Sequence, residues 1–153
     1  MEILSEADTR AKLIDPALHR RGWTEGLIRR EETARSIEVI GNKARRRQKG
    51  RTDYLLRLQV NKNSQPVAIA LVEAKRNNEP PDKGLEQAKK YARLNHVPFV
   101  YSSNGYLFVE YDSFTGKTSQ PCSLNEFPQP EVLRQRYEKG AGFLLKEDNG
   151  VRH

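Results

Sequence analysis

Six consecutive aliphatic residues, Val67-Ala68-Ile69-Ala70-Leu71-Val72, run directly into Glu73-Ala74-Lys75, and this junction limits the fold more than any other stretch of the chain. A strand with one wet face alternates apolar and polar residues; this run is apolar at every position, so both of its faces must be covered. Coverage on both faces requires a sheet sandwiched between helices, an α/β layering. Glu73 and Lys75 are separated by one residue and therefore point to the same face of the strand. Two charges beside a buried run are costly unless a partner or a metal compensates them. The junction thus predicts a functional group of side chains at the end of a central strand.

The neighbouring segments fit that layering. Residues 53–60 form a second run rich in Leu and Val, joined to 67–75 by the polar turn 61–66, and the two are expected to pair as a hairpin. Asp53 opens this first strand, so Asp53, Glu73 and Lys75 are expected to converge. Upstream, Ala7, Ala11, Leu13 and Ile14 fit a helical stripe over 5–14, with Ser5 and Asp8 as a capping box. Asp15-Pro16 either kinks that helix or opens a second one in which Ala17 and Leu18 face inward, and Trp23 reads as a core anchor. Residues 36–40 read as a strand and 41–51 as a basic loop. Downstream, Leu85, Ala88, Tyr91, Ala92 and Leu94 recur at helical spacing over 83–95. Strands are expected at 99–102 and 106–111 around the turn Ser103-Asn104-Gly105. Pro121, Pro128 and Pro130 punctuate a loop, a short helix follows over 131–139 and is stopped by Gly140, and the end of the chain reads as frayed.

Composition removes several classes of function. With 153 residues the chain has the size of one compact domain. Its longest aliphatic run is far below the roughly 20 residues that a membrane span needs. The start MEILSEADTR carries acids where a signal peptide would be basic and then apolar, so a cytoplasmic protein without a membrane partner is expected. A single cysteine, Cys122, leaves no internal disulfide, and His19, His96 and His153 lie too far apart for a zinc cluster. Neither Cys122 nor His19 or His96 has triad-like companions. The 27 lysines and arginines against 20 acids give a net charge of +7, which favours a polyanion as partner, nucleic acid first. Arg45, Arg46, Arg47, Lys49 and Arg51 place five cations within seven residues next to Asp53, where contacts to phosphates would flank a reacting bond.

The chemistry follows from the residue types. Oxygens of Asp53 and Glu73, with the Ala74 backbone carbonyl between Glu73 and Lys75, are the hard donors that Mg²⁺ prefers, with Mn²⁺ as a substitute. Such an ion stabilises charge developing on a phosphate and lowers the pKa of a bound water, while Lys75 orients that water. Phosphodiester hydrolysis is the reaction these groups suit.

The order Asp53, nineteen intervening residues, then Glu73-Ala74-Lys75 resembles the PD-(D/E)XK nuclease signature, with Thr52 where the pattern has proline. Gln87 and Tyr91, four apart on one helical face, resemble the QxxxY motif of nucleases related to the RecB family. The stretches SEADTRAKLIDPALHRRGW, GRTDYLL, VEAKR, KGLEQAKKYA, VPFVYSSNG and the D-x-x-T-G at 112–116 are similar to the N-terminal nuclease domain of type I restriction enzyme R (motor) subunits, over about residues 5–116. The resemblance implies a restriction-endonuclease-like core, a central mixed β-sheet flanked by helices. It implies Asp53 and Glu73 as principal metal ligands, Lys75 as the catalytic lysine, Glu6 on the first helix as a further ligand, and Gln87 and Tyr91 as residues that support the site and contact DNA. The substrate implied is double-stranded DNA, cut with little intrinsic sequence specificity. Implied partners are a helicase or translocase region of a longer chain, reached through 117–153, and methyltransferase and specificity subunits. No GxxxxGK[ST] loop is present, so no ATP site is expected in this chain. Arg10 lies within the matched text without an assigned role. Two other classes stand beside this reading: a non-catalytic nucleic-acid binding module with a nuclease-like fold, and a structural domain docked on a motor or methyltransferase core.

Overall fold

A computed structural model describes residues 2–30, 37–40, 43–46, 53–59 and 65–142. The aliphatic run forms β5 (Val67–Ala74), in the interior of a seven-stranded sheet. β4 (Tyr54–Leu58) lies antiparallel to it with Tyr54 opposite Val72, a hairpin as the sequence predicts. On its other side β6 (Phe99–Ser103) runs parallel, with Glu73 opposite Ser102. A parallel neighbour requires a crossover, and α3 (Leu85–Asn95) supplies it. β7 (Leu107–Asp112) returns antiparallel to β6, so the sheet is mixed. Its margins are β1 (Ile28–Arg30) against β4, and β8 (Lys117–Thr118) and β9 (Cys122–Ser123) against β7. A separate two-stranded sheet pairs β2 (Ile37–Ile40) with β3 (Lys43–Arg46).

Both faces of β5 are covered, as its composition requires. Val72 and Ala74 pack in one cluster with Ile14, Leu18, Trp23 and Leu133, while Leu71 packs in a second with Leu85, Ala88 and Ala92 of α3. The first cluster also takes in Leu124, Phe127 and Leu133, beyond the span 5–116 that carries the resemblance. Trp23 is fully buried and donates its indole N–H to the Pro128 carbonyl (2.8 Å), which is how a buried indole is satisfied. No helix among the described residues is long and apolar enough to cross a membrane.

The N-terminal helix departs from the sequence reading. α1 (Glu6–Thr9) starts with the Ser5 hydroxyl accepting from the Asp8 N–H (3.0 Å), widens into a π-helical turn at Arg10–Ile14, and continues as α2 (Asp15–Arg20). Pro16 has no N–H and its ring would press on the carbonyl one turn back; the wide turn, closed by the Asp15 N–H on the Arg10 carbonyl, accommodates it. The extra residue in this turn shifts the buried face. Ala7 and Ala11 are exposed, whereas Thr9, Ile14, Ala17 and Leu18 are buried. Leu94, expected in the buried stripe of α3, is 67% exposed near the end of that helix.

Two further expectations need correction. Lys43–Arg46 lie in the stretch read as a loop, yet they form β3, because backbone pairing with β2 does not require apolar side chains. Arg47, Lys49 and Arg51 of the same basic stretch lie outside the described residues. Gly140 does not stop the last helix: α4 (Pro130–Ala141) runs through it and ends on Gly142 in the left-handed region (φ +80°). Gly140 sits inside the helix because a Cβ there would lie 2.3 Å from the Phe114 ring.

α4 is fastened by a charged cluster. Arg136 donates to both oxygens of Glu110 (2.8 and 2.8 Å) and to Asp112 (3.2 Å), and its guanidinium lies 4.6 Å from the Phe99 ring centre. The buried Tyr101 hydroxyl donates to Glu110 (2.5 Å); burial and then the Glu110 charge hold its pKa well above the ordinary phenol value.

Candidate active site

The antiparallel register of β4 on β5 carries the residue before β4 to the C-terminal end of β5. Asp53 therefore meets the Glu73-Ala74-Lys75 segment. Its carboxylate is buried and engaged on both oxygens: Oδ2 accepts the Ala74 N–H (2.8 Å) and Oδ1 accepts Nη1 of Arg10 (2.9 Å). A buried carboxylate persists only with such partners.

Glu73 and Lys75 face the approach to α3. A Cβ on Gly84, the residue before that helix, would lie 2.7 Å from Glu73 Cγ and 2.8 Å from Lys75 Cε, so any larger residue here would have to push these side chains aside. The Gly84 N–H is taken by the Ser102 hydroxyl (3.0 Å) on β6, and the Lys75 N–H donates to the Ser103 carbonyl (2.9 Å). These bonds extend the sheet to the edge of the site. Lys75 Nζ stands 4.0 Å from a carboxylate oxygen of Glu73 and 4.0 Å from one of Glu6.

The N-terminal helix forms the remaining wall. Glu6 and Arg10 are one helical turn apart and reach Lys75 and Asp53 respectively. The helix is tied to β4 by the Tyr54 hydroxyl, which donates to Asp15 (2.5 Å). Burial, and then the adjoining Asp15 carboxylate, push the Tyr54 pKa far up, so the phenol stays protonated as the donor. Arg30 stands 3.3 Å from the same carboxylate. Asp53, Glu73, Glu6, Arg10 and Lys75 thus line the end of β5.

The residues predicted from sequence are distributed unevenly. Asp53, Glu73, Ala74, Lys75 and Glu6 come together. Gln87 is exposed one turn into α3, and Tyr91 packs against the Leu71 and Leu85 cluster. Arg45 and Arg46 belong to β3. Three residues escaped the sequence reading. Arg10 has a spacing of four from Glu6 as its only local signal, and neither Ser102 nor Gly84 has a local signal that ties it to Glu73 and Lys75. Carboxylate oxygens are the donor chemistry that Mg²⁺ takes, yet no group of three Asp, Glu, His or Cys side chains among the described residues is arranged about one point. Asp53 Oδ1 instead accepts from the Arg10 guanidinium. A cleft of about 340 Å³ near the C-terminal end of α3, lined by Lys89, His96, Phe114 and Tyr137, lies apart from these groups.

No protein-family model matches the chain. The chain is homologous to part of the type I restriction enzyme EcoAI endonuclease subunit of Escherichia coli, with 34% identity over 146 residues. The matched region covers 92% of this chain and 17% of that subunit. Among solved structures it is similar to a fragment assigned to an HsdR subunit of a type I restriction enzyme from Vibrio vulnificus YJ016, with 32% identity and a TM-score of 0.72. That match covers 93% of this chain and 27% of the other. The chain thus spans well under a third of either relative.

Proposed function

We propose that this chain is the cleavage module of a type I restriction enzyme R subunit: a PD-(D/E)XK, metal-dependent endonuclease that hydrolyses phosphodiester bonds of double-stranded DNA in the cytoplasm with little sequence preference of its own. The observation that carries the reading is the grouping of Asp53, Glu73, Lys75 and Glu6 at one end of β5, with Gly84 packed close against Glu73 and Lys75. Homology to the endonuclease subunit over nearly the whole chain supports it. Translocase, methyltransferase and specificity functions would lie elsewhere in the assembly.

Asp53 and Glu73 would hold Mg²⁺ or Mn²⁺, with the Ala74 carbonyl and Glu6 as further donors. Bound there, the ion supplies Lewis-acid stabilisation of phosphate charge and a more acidic water. Lys75, only 19% exposed and flanked by two carboxylates, keeps its ammonium where it orients the attacking water and stabilises phosphate charge. Gln87 and Tyr91 support the site and contact DNA, and the cations from Arg45 to Arg51 bind its phosphates, which makes affinity fall steeply with salt.

A plasmid assay tests the reading. The parent protein nicks or linearises supercoiled DNA only with Mg²⁺ or Mn²⁺, and Lys75→Ala abolishes cutting while its circular dichroism is unchanged. Equal cutting by the parent and Lys75→Ala contradicts it. A second reading, a nucleic-acid binding module that does not cut, is favoured by the engagement of both Asp53 oxygens within the protein. Salt-sensitive DNA binding without hydrolysis at any divalent ion concentration would establish that reading instead.

A further inference from the structure

The two oxygens of Asp53 are held in different ways. Oδ2 is bonded to the backbone N–H of Ala74, a partner that stays as long as β5 does. Oδ1 is bonded to a single nitrogen of Arg10, whose long side chain is 28% exposed and so has a route to water. That contact does not use the two-pronged geometry by which a guanidinium binds a carboxylate most strongly. A buried carboxylate needs a cation or donors to stay ionised, but any cation of the right reach will serve. On the metal-dependent reading above, which this inference rests on, Arg10 and a divalent ion seek the same oxygen.

We propose that Arg10 is the displaceable counter-ion of the site: its guanidinium and a divalent cation compete for Asp53 Oδ1, and Arg10 acts as a positioning residue for Asp53 until the cation takes its place. Competition reduces the apparent metal affinity by the fraction of molecules in which Arg10 occupies Oδ1, so removing the competitor tightens metal binding. A purely structural arginine would have the opposite effect, because Asp53 would lose its orientation.

Calorimetric titration of the whole chain with Mn²⁺ separates these outcomes. Arg10→Ala and Arg10→Gln are expected to bind Mn²⁺ about fivefold or more tightly than the parent. Lys12→Ala, which removes the same charge from an exposed position on the helix, should shift affinity by less than about twofold. Unchanged or weaker binding by the Arg10 variants, or an equal gain in Lys12→Ala, overturns the exchange; if Asp53→Ala still abolishes binding, the metal reading survives that failure. Absence of binding in the parent and in both Arg10 variants overturns both. The parent alone gives an independent readout by ¹⁵N NMR: saturating Mg²⁺ should convert the Arg10 guanidinium from restricted to fast rotation, and an unchanged signal overturns the proposal even if both variants fail to fold.

Discussion

Among the described residues, one cluster of arginine and carboxylate lies beneath α4 and another ahead of α3, and they are built differently. Under α4, Arg136 grips Glu110 with two bonds of 2.8 Å, adds Asp112 at 3.2 Å and lies against the Phe99 ring. Its hydrogen bond to Glu110 pushes the Arg136 pKa further up, and Tyr101 occupies the remaining side of Glu110. Ahead of α3, Arg10 touches Asp53 through one nitrogen, and Lys75 stands at 4.0 Å from each of two carboxylates. The first cluster is saturated and holds a helix in place. In the second, Arg10 holds Asp53 by one bond of 2.9 Å and lacks the two-pronged grip that Arg136 has on Glu110. The contrast teaches that the geometry of the contacts, two-pronged in one cluster and one-pronged in the other, distinguishes two clusters that a count of charges would equate.

Variants in the two clusters should therefore fail in different ways. Lys75→Ala is expected to lower cleavage by roughly a thousandfold or more with little change in melting temperature. Arg136→Ala should do the reverse: it leaves Glu110 half-buried without its guanidinium, costs about 2–3 kcal/mol in denaturant unfolding, and leaves cleavage per folded molecule unchanged. If Arg136→Ala abolished cutting in folded protein, the division between the clusters would be lost. Gly84→Ala sharpens the comparison, because its Cβ meets flexible side chains rather than backbone. Glu73 and Lys75 can yield, so stability should fall by under about 1 kcal/mol, while their displacement should slow cleavage by about tenfold. A loss of stability that accounts for the whole loss of activity would show that Gly84 serves packing alone.

The smallest expected effect concerns a third group of charges, on the surface. Hydrogen bonds from Arg30 and then His19 lower the Glu25 carboxyl to about 2. A folded pKa below the unfolded one contributes stability above about pH 4, and this is lost as pH falls towards 2. Glu25 is 60% exposed, so screening keeps the contribution below about 1 kcal/mol. Melting temperatures of the parent and Glu25→Gln should differ slightly at neutral pH and converge on acidification; a difference that grows in acid would reverse the sign.

What was legible in the sequence were features in which one residue's environment follows from its close neighbours. The unbroken run before Glu73 reported burial on both faces, and the spacing of Glu73 and Lys75 reported a shared face. Burial also made Trp23, α3 and the β6–β7 hairpin readable. What was not legible depended on contacts between distant segments. Arg10 meets Asp53 across 43 positions of sequence, and Gly84 matters because two side chains of another strand stand under it. The π turn before Pro16 displaced Ala7 and Ala11 from the expected stripe. Lys43–Arg46 and Lys117–Thr118 are strands through backbone pairing, which charged side chains conceal.

The central claim is that the cluster at the end of β5 is a cation site and the cluster under α4 is not. Calorimetric titration of Mn²⁺ into the parent, Asp53→Ala, Glu73→Ala and Arg136→Ala, at a temperature where all four are folded, tests it directly. The account predicts binding in the parent and in Arg136→Ala, and its loss in Asp53→Ala and Glu73→Ala. Equal binding in all four proteins would contradict it.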